Sequence, residues 1–369
     1  MSIESYMPVR LITGRGCVAA QASRLAEFGR SCLIVTGHHS AEACGALSDV
    51  TAALDSEGIR WAHFNGIGQN PKITECQAAA EAAREVQAQF IIGIGGGSPM
   101  DAAKCTAVFA ANPDLSIEDL YAFRWPARPL PIVLVGTTSG TGSEVTRVSV
   151  VTTPEGRKKS FSHDRIYASL SLGDPAYTLS LDEHFTRSTA IDAFSHSMES
   201  YFLRGADSLS RTYSARGIRL LLGQFDRMRS SGACQMTYED RELCYEASIY
   251  GGLAINKTGT GFPHAMGYFL SEEYGVPHGI ACGLYLTEFY HYNRQVVPEL
   301  AERFLEDIGC SEDTLLDTIA RFLPPTEVHL TEADITRLHE RWIGNGSLRR
   351  CQGEITADMA DEWLRKLFA

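Results

Sequence analysis

The chain has 369 residues, of which 44% are hydrophobic and 21% are charged, and its formal net charge is −12. This length and composition exclude an intrinsically disordered, collagenous or coiled-coil protein and predict about two or three globular domains. The 33 basic residues are scattered among 45 acidic ones. We therefore expect no nucleic-acid partner, because duplex binding requires a clustered cationic face.

The sequence also bears on where the protein resides. Its apolar runs fall well short of the roughly 18 residues that a membrane-spanning helix needs. The first residues include Glu4 and lack the apolar core of a signal peptide, so we expect a cytoplasmic protein with no membrane partner. The ten cysteines contain no CxxC pair. This predicts reduced thiols that act as small buried apolar residues, rather than a disulfide framework or a zinc ribbon.

The first half of the chain alternates short β-branched runs with amphipathic segments. The runs with strand character lie at 32–36, 61–64, 90–94, 132–135, 145–152 and 166–172. The segments at 41–57 and 73–88, which are rich in Ala and Glu, predict helices between the strands. This alternation is typical of a mostly parallel sheet that helices cover on both faces.

From about residue 182 the chain repeats apolar residues at helical spacing, and strand signals fade. The segments with this spacing lie at 185–203, 208–229, 238–256, 298–308 and 359–368. Gly, Asp and Pro at 173–175 are typical of a loop between structural elements. We therefore predict an α/β domain over 1–180 and an all-α domain over 181–369. A cleft between two such domains is the expected location of a ligand and of an active site.

A glycine run, GGGSPMD, follows the predicted strand at 90–94. Its residues that we expect to contact a phosphate are Gly95, Gly96, Gly97, Ser98 and Asp101. Ser98 is expected to cap a helix, with Pro99 at the first helical position and Asp101 in a capping box. Glycines let an anion approach the N–H groups of a helix N-terminus closely. The run lacks the last glycine of the GxGxxG fingerprint, and a tight turn without a ligand is the alternative.

A second loop, rich in glycine and hydroxyl groups, follows the predicted strand at 132–135. Its candidate ligand-binding residues are Thr137, Thr138, Thr141 and Ser143. Open α/β sheets bind ligands at the carboxyl ends of their strands, so two such loops on successive strands predict a dinucleotide. A hydrolase is the alternative for a loop rich in serine, but the chain has no GxSxG nucleophile elbow.

One carboxylate and three imidazoles in the helical half form a candidate metal site. Asp192 and His196 lie four residues apart in a predicted helix, so their side chains project from one face. His264 and His278 each follow a proline, which places both imidazoles at the starts of helical segments. This ligand set suits Fe2+, Zn2+ or another divalent ion of the first transition row. Any one histidine taken alone is more typical of a core or surface residue.

Four ordered motifs resemble the iron-containing, group III alcohol dehydrogenase family: GGGSPMD at 95–101, TTSGTGSEVT at 137–146, DAxxH at 192–196 and PHG at 277–279. The resemblance implies a Rossmann-like N-terminal domain, a helical C-terminal domain and a homodimer or larger homo-oligomer. It implies NAD(H) or NADP(H) over the glycine loop, with Val150 and Lys159 lining the cofactor site. The residues that it implies hold a divalent metal are Asp192, His196, His264 and His278. The implied reaction is the metal-dependent interconversion of a short aldehyde and a primary alcohol.

Two positions depart from the usual pattern of that family. Tyr268 stands where many members carry a histidine that faces the substrate, a variant similar to the short phosphonoacetaldehyde-reductase branch. Gly37, with Ser40 nearby, stands where NAD-preferring relatives place an aspartate against the ribose, so both NAD(H) and NADP(H) are expected to fit. We predict Tyr268 as a catalytic residue. Lys257 is the candidate cation for an anionic aldehyde such as phosphonoacetaldehyde, Arg147 is a second candidate, and a solvated surface residue is the alternative for each.

Two other functions fit parts of the pattern. A non-redox lyase resembling dehydroquinate synthase shares the general architecture, and net NADH consumption with a simple aldehyde separates it from a reductase. A non-catalytic binding protein would require the loss of at least one metal ligand, and the sequence retains all four.

Overall fold

The computed structural model describes residues 3–232 and 235–369. Within them the chain forms two compact units. The sheet unit comprises Ser5–Asp182 and Met236–Tyr245, and the helical unit comprises the remaining described residues. Among the described helices, none combines the length and the hydropathy that bilayer crossing requires.

All described strands belong to the sheet unit. They are β1 Arg10–Thr13, β2 Ser31–Gly37, β3 Arg60–Ile67, β4 Phe90–Gly95, β5 Ile132–Gly136, β6 Val148–Thr152, β7 Lys158–Ser162 and β8 Leu170–Gly173. Six of them form a parallel sheet in the order β1-β8-β5-β4-β2-β3, and β6 pairs with β7 as an antiparallel hairpin. The predicted parallel sheet is therefore confirmed.

Seven α-helices lie in the first part of the sheet unit. They are α1 Cys17–Ala20, α2 Ala22–Leu25, α3 Ser40–Ala43, α4 Ala46–Ser56, α5 Ile73–Glu85, α6 Gly97–Ala111 and α7 Ile117–Tyr121. Alternate residues of β2 belong to two different cores: Leu33 packs in the cluster that includes α5 and α6, and Ile34 in the cluster that includes α4. Both faces of the sheet are thus covered, which explains why its central strands are apolar throughout.

The strand order places one edge of the sheet where a ligand is expected. From β2 the chain moves outward to β3 and then returns past β2 to β4, so the order reverses between β2 and β4. In the register, Thr36 of β2 lies beside Ile94, and Gly95 of β4 lies beside Gly136. The carboxyl ends of β2, β4 and β5 therefore meet at the point where open α/β sheets bind ligands.

The helical half contains eleven further helices among the described residues. They are α8 Glu183–Phe202, α9 Ser208–Ser231, α10 Tyr238–Thr258, α11 Phe262–Glu273, α12 His278–Gly283, α13 Leu286–Val296, α14 Pro298–Ile308, α15 Glu312–Phe322, α16 Glu332–His339, α17 Gly346–Arg350 and α18 Ala357–Phe368. Helix α8 is buried along most of its length, polar residues included. A helix buried on all sides is a core element, and its polar side chains therefore need partners.

Local details differ from the sequence-based expectations. The segment 41–57 is two helices, because Gly45 adopts a left-handed conformation with φ +87° and separates α3 from α4. The run at 145–152 opens as a short 3₁₀ turn at Ser143–Val145 before β6 begins. The short partly exposed strand β1 and the polar strand β7 carry little apolar signal and were not expected.

Candidate nucleotide and metal sites

The glycine run forms a tight junction between β4 and α6. Helix α6 begins at Gly97, with the extended backbone of Gly96 at its N-cap and no side-chain cap. The expected capping role of Ser98 is wrong, because Ser98 already lies within the first turn. Its Oγ instead accepts a hydrogen bond from Asn70 N at 3.3 Å. The first N–H groups of α6 are therefore left to another acceptor, as an anion-binding helix start requires.

The two predicted loops lie against each other. A Cβ on Gly96 would lie 2.9 Å from Thr138 Oγ1, and a Cβ on Gly97 would lie 2.6 Å from Thr141 Cγ2. The N–H of Thr137 donates to Gly95 O at 2.9 Å. No side chain fits where these glycines stand. The loops thus form one closely packed cradle in which the backbone of Gly96 and Gly97 is half-buried, an arrangement that suits a dinucleotide phosphate.

Asp101 joins the cradle to the β6–β7 hairpin, and its predicted place in a capping box is wrong. Its Oδ1 accepts from Ser143 Oγ at 2.7 Å, and its Oδ2 accepts from Val150 N at 2.9 Å. Position 101 lies too far into α6 to reach back to the N-cap. The carboxylate therefore holds Ser143 and Val150, two predicted cofactor residues, in place.

A buried lysine, which was not expected to be functional from the sequence, holds the same region in place. Lys104 has no exposed surface, and its ammonium donates to Ser143 O and Val148 O, each at 2.8 Å. It also lies 3.6 Å from Asp101 Oδ1. Burial lowers the pKa of Lys104, and the Asp101 charge opposes this shift. The i, i+3 spacing of Asp101 and Lys104 was the available signal.

The remaining predicted cofactor residues have different surroundings. Gly37 ends β2, and a Cβ there would lie 3.8 Å from both Ser40 Oγ and Pro99 Cγ, so Gly37 and Ser40 border the start of α6. Lys159 is exposed on β7, and its Nζ lies 4.0 Å from the centroid of the Tyr121 ring. The structure brings Gly37 and Ser40 to the cradle, whereas the contact of Lys159 is to Tyr121.

In the helical unit, one carboxylate oxygen faces the three predicted imidazoles. Asp192 Oδ1 lies 3.5 Å from His264 Nε2 and 3.8 Å from the Nε2 atoms of His196 and His278. Asp192 and His196 are one turn apart on α8, His264 lies in the first turn of α11, and His278 begins α12. Three helices thus bring together all four predicted metal ligands.

The cluster has the properties of a cation site. Asp192 Oδ1 and His264 Nε2 are buried and form no hydrogen bond. Leaving two such polar atoms unpaired in a core is costly, which points to a bound cation. Ligands bound at about 2.0–2.2 Å in a tetrahedral arrangement lie about 3.4 Å apart, close to the separations here. Burial would raise the pKa of Asp192, but the imidazoles, His196 foremost, lower it below its usual range.

A fully buried carboxylate on α8 orients one of these imidazoles. Glu199 Oε1 lies 2.5 Å from His264 Nδ1 and also accepts from Ser195 Oγ at 2.6 Å. Its Oε2 accepts from Gly261 N at 2.7 Å. Since a carboxylate accepts, Nδ1 carries a ring proton, which leaves Nε2, the nitrogen that faces Asp192, as the atom that can bind a metal ion. Glu199 was not expected from the sequence, although it lies two turns after Asp192 on the same helix.

Two further side chains border the cluster. The ring of Tyr268, the predicted catalytic residue, stacks on His278 with centroids 5.7 Å apart. Burial raises the pKa of Tyr268 to about 12, so the phenol keeps its proton at neutral pH. Cys282 Sγ lies 3.8 Å from His278 Nδ1. The potential ligand atoms of Asp192, His264, His278 and Cys282 all lie within 4.8 Å of one another.

Lys257, the predicted cation for an anionic substrate, makes its contacts elsewhere in the helical unit. Its Nζ donates to Glu4 O at 3.0 Å and lies 3.7 Å from Asp207 Oδ2. Neither partner belongs to the metal cluster, and the Asp207 carboxylate already compensates the lysine charge.

Two family models match the chain. The model described as iron-containing alcohol dehydrogenase matches residues 8–175, and the model of the C-terminal part of the same family matches residues 186–324. A 1,3-propanediol dehydrogenase of Citrobacter freundii is 31% identical over 296 residues, which cover 79% of this chain and 75% of the relative. The chain belongs to the iron-containing alcohol dehydrogenase family.

Solved structures of iron-containing alcohol dehydrogenases have the same fold. The enzyme of Thermotoga maritima is 30% identical, with a TM-score of 0.92 over 99% of both chains. A sulfoacetaldehyde reductase of Bifidobacterium kashiwanohense, solved in complex with NAD+, is 29% identical, with a TM-score of 0.89 over 100% of this chain and 99% of that one. Family membership confirms the expected class of enzyme, an alcohol dehydrogenase or aldehyde reductase of the iron-containing family.

Proposed function

We propose that this protein reduces a short aldehyde to a primary alcohol, and catalyses the reverse oxidation, with NAD(P)H and a divalent metal. The observation that carries the proposal is the cluster around Asp192 Oδ1, where three imidazole nitrogens surround a buried oxygen that has no hydrogen bond. A purely structural core would satisfy that oxygen with a donor. The family's reductases and dehydrogenases of small alcohols make an aldehyde the natural substrate class.

The helical unit contributes the metal-binding part of the reaction. The residues that would hold the ion are Asp192, His196, His264 and His278. When bound, a divalent ion supplies a positive charge that stabilises negative charge developing on the carbonyl oxygen. Glu199 holds His264 in the tautomer that ligation needs, and Tyr268, stacked on His278, is our candidate for contact with the substrate.

The sheet unit contributes the site that would bind the cofactor. The cradle of Gly95, Gly96 and Gly97 would take the pyrophosphate at the N-terminus of α6, and a bound nicotinamide supplies or accepts the hydride. Asp101 and Lys104 hold the second loop rigid beside it. Gly37 places no carboxylate beside the adenosine ribose, so the proposal includes both NADH and NADPH.

The aldehyde that the enzyme reduces can be charged or uncharged. An anionic aldehyde would need an uncompensated cation near the metal ligands, and Lys257 is paired with Asp207. The observations therefore favour a short uncharged aldehyde over phosphonoacetaldehyde. A Lys257→Ala variant tests whether Lys257 contributes to substrate binding: we expect its KM to be unchanged for charged and uncharged aldehydes alike. A KM that rises only for a charged aldehyde would restore the anionic substrate.

A substrate screen tests the proposal as a whole. Metal-loaded protein is supplied with NADH or NADPH and a panel of matched aldehydes: propanal, lactaldehyde, sulfoacetaldehyde and phosphonoacetaldehyde. We expect aldehyde-dependent oxidation of the cofactor, with little activity in His278→Ala and normal activity in His329→Ala, an exposed histidine of the same unit. Absence of cofactor oxidation with every aldehyde would contradict the proposal and return the lyase to consideration.

The assembly state is a separate proposal. We propose a homodimer or larger homo-oligomer, on the resemblance to the family alone. Light scattering of the purified protein tests it, and the mass of a single chain at working concentration would contradict it.

A further inference from the structure

We propose that Glu144 is a positioning residue for dinucleotide binding: Tyr245 and Ser171 hold it, and it fixes the turn that ends the second loop. The inference rests on the proposed function only in taking this loop to bind NAD(H) or NADP(H). Its separate content is a role for a carboxyl group that is buried in the sheet unit and that the proposed reaction does not use.

Both the side chain and the backbone of Glu144 are anchored. Tyr245 Oη on α10 donates to Glu144 Oε1 at 2.7 Å, and Ser171 Oγ on β8 donates to Glu144 O at 2.8 Å. Glu144 Oε2 has no hydrogen-bond partner among the described residues, so Oε1 carries the hydrogen bonding of the carboxyl group. Burial raises the pKa of Tyr245 well above its usual value, so the phenol keeps its proton and remains a donor.

The ends of two neighbouring strands leave room for this pair. Gly136 ends β5 and Gly173 ends β8, and the two glycines lie beside each other in the parallel register. A Cβ on Gly173 would lie 2.5 Å from Tyr245 Oη. A Cβ on Gly136 would collide with both Tyr245 Oη and Glu144 Oε1. Tyr245 can therefore reach Glu144 only because both strands end in a residue without a side chain.

The anchored turn leads to the phosphate cradle through Thr141. Glu144 lies in the 3₁₀ turn Ser143–Val145, and Ser143 N donates to Thr141 Oγ1 at 3.3 Å. Thr141 packs against Gly97, where an added Cβ would lie 2.6 Å from Thr141 Cγ2. Gly97 is the first residue of α6, whose N-terminus would bind the pyrophosphate. A shift of the turn therefore displaces Thr141 relative to this helix start.

Consecutive residues of the turn are attached to different elements. Ser143 is held from α6, because its Oγ donates to Asp101 Oδ1 at 2.7 Å and Lys104 Nζ lies 2.7 Å from the same Oγ. Glu144 is held from α10 and β8. Without the bond from Tyr245, the turn keeps its attachment to α6 and loses part of its attachment on the other side. We therefore expect weaker cofactor binding in a protein that still folds.

Tyr245→Phe removes the phenol hydroxyl and keeps the ring. We expect Kd for NADH, measured by fluorescence with metal-free protein, to rise about fivefold, which corresponds to about 1 kcal/mol and is typical of one hydrogen bond. The kcat of the metal-loaded enzyme at saturating NADH should not change, because Tyr245 is not among the metal ligands. Glu144→Gln keeps an acceptor for the phenol and should bind NADH within about twofold of wild type, whereas Glu144→Ala should bind it at least about fivefold more weakly.

Tyr201→Phe is the matched control. Tyr201 is fully buried in the helical unit, and its phenol donates to Asp307 Oδ2 at 2.6 Å. Both Tyr→Phe variants lose a buried hydrogen bond and should lower Tm, but only Tyr245→Phe should raise Kd for NADH. A rise of equal size in both variants would show a general loss of stability and overturn the positioning role. Equally weak binding by Glu144→Gln and Glu144→Ala would also overturn it.

The outcomes separate the two proposals. If the wild type binds NADH or NADPH and folded Tyr245→Phe binds it equally tightly, Glu144 is not a positioning residue and the proposed function stands. If the wild type binds neither cofactor, both proposals fail. Should Tyr245→Phe not fold, Ser171→Ala takes its place, because it removes the hydrogen bond to Glu144 O. A raised Kd for NADH in that variant supports the proposal, and an unchanged Kd overturns it.

Discussion

Replacing Glu199 by glutamine tests how far metal binding depends on the carboxylate behind His264. The carboxylate accepts through both oxygens: Oε1 from His264 Nδ1 and Oε2 from Gly261 N. Glutamine keeps the shape but turns one acceptor into an NH2 donor. If that nitrogen faces His264, the ring proton must move to Nε2, which can then no longer bind a metal ion. If it faces Gly261 instead, a buried N–H at the start of α11 loses its acceptor, and the turn that carries His264 loses the contact that positions it for a metal ion.

The expected loss follows from this geometry. Outer-shell partners of ligating histidines typically contribute 10–100-fold to metal affinity, or about 1.4–2.7 kcal/mol. Glu199 has no exposed surface, and its contact with His264 Nδ1 is only 2.5 Å long. Water therefore cannot replace the lost acceptor, and we expect a loss toward the upper end of this range.

The assay is competition for Zn2+ between metal-free protein and a chromophoric chelator. Glu288→Gln is the matched control, because Glu288 is a buried carboxylate of the same unit that pairs with Lys366 at 2.7 Å. We expect Glu199→Gln to bind Zn2+ much more weakly than wild type, and Glu288→Gln to bind it equally well. Folded Glu199→Gln with an affinity within about twofold of wild type would refute the reasoning.

Three further predictions concern other parts of the chain. Gly97→Ala forces the cradle loops apart at a cost of about 1–3 kcal/mol, so Kd for NADH measured by fluorescence should rise about 5- to 150-fold. Gly223→Ala, at a position with open space around it, should leave Kd unchanged. Lys104→Met leaves the Asp101 carboxylate without its cationic partner and removes the hydrogen bonds of a fully buried ammonium. It should lower the free energy of unfolding in urea by about 3–5 kcal/mol, and a loss under about 1 kcal/mol would contradict its role. The hydrogen bond to Asp361 raises the pKa of His339 above 6.5, so this stabilisation is complete below that pH and is lost as the pH rises through the raised value. His339→Ala should therefore lower Tm more at about pH 5.5 than at about pH 9, and equal losses would contradict this assignment.

The parts that sequence reasoning predicted well share a physical basis. Buried parallel strands must be apolar on both faces, so β2, β4 and β5 were visible as runs. A metal ligand needs a particular donor atom, and a glycine that lies close to another part of the backbone or to a side chain leaves no room for a side chain of its own. Few other residue types can therefore stand at these positions. Asp192, His264 and Gly97 could therefore be picked out by type and spacing, and the structure brings the four predicted metal ligands together.

The parts that were missed depend on three-dimensional neighbours. Glu199 and Lys104 act through partners that are remote in sequence, and a buried charged residue looks like a surface residue until its surroundings are known. Ser98 has the type and spacing of a helix cap, but β4 ends at Gly95 and α6 starts at Gly97, two residues earlier than a cap at Ser98 would allow.

The central claim is that the cluster around Asp192 holds one divalent ion on which aldehyde reduction depends. Anaerobic titration of metal-free protein with Fe2+ or Zn2+, followed by aldehyde-dependent NADH oxidation, tests it most directly. We predict no activity without metal, a rise that saturates at one ion per chain, and no rise in His264→Ala. Full activity in the metal-free wild-type protein would contradict the account.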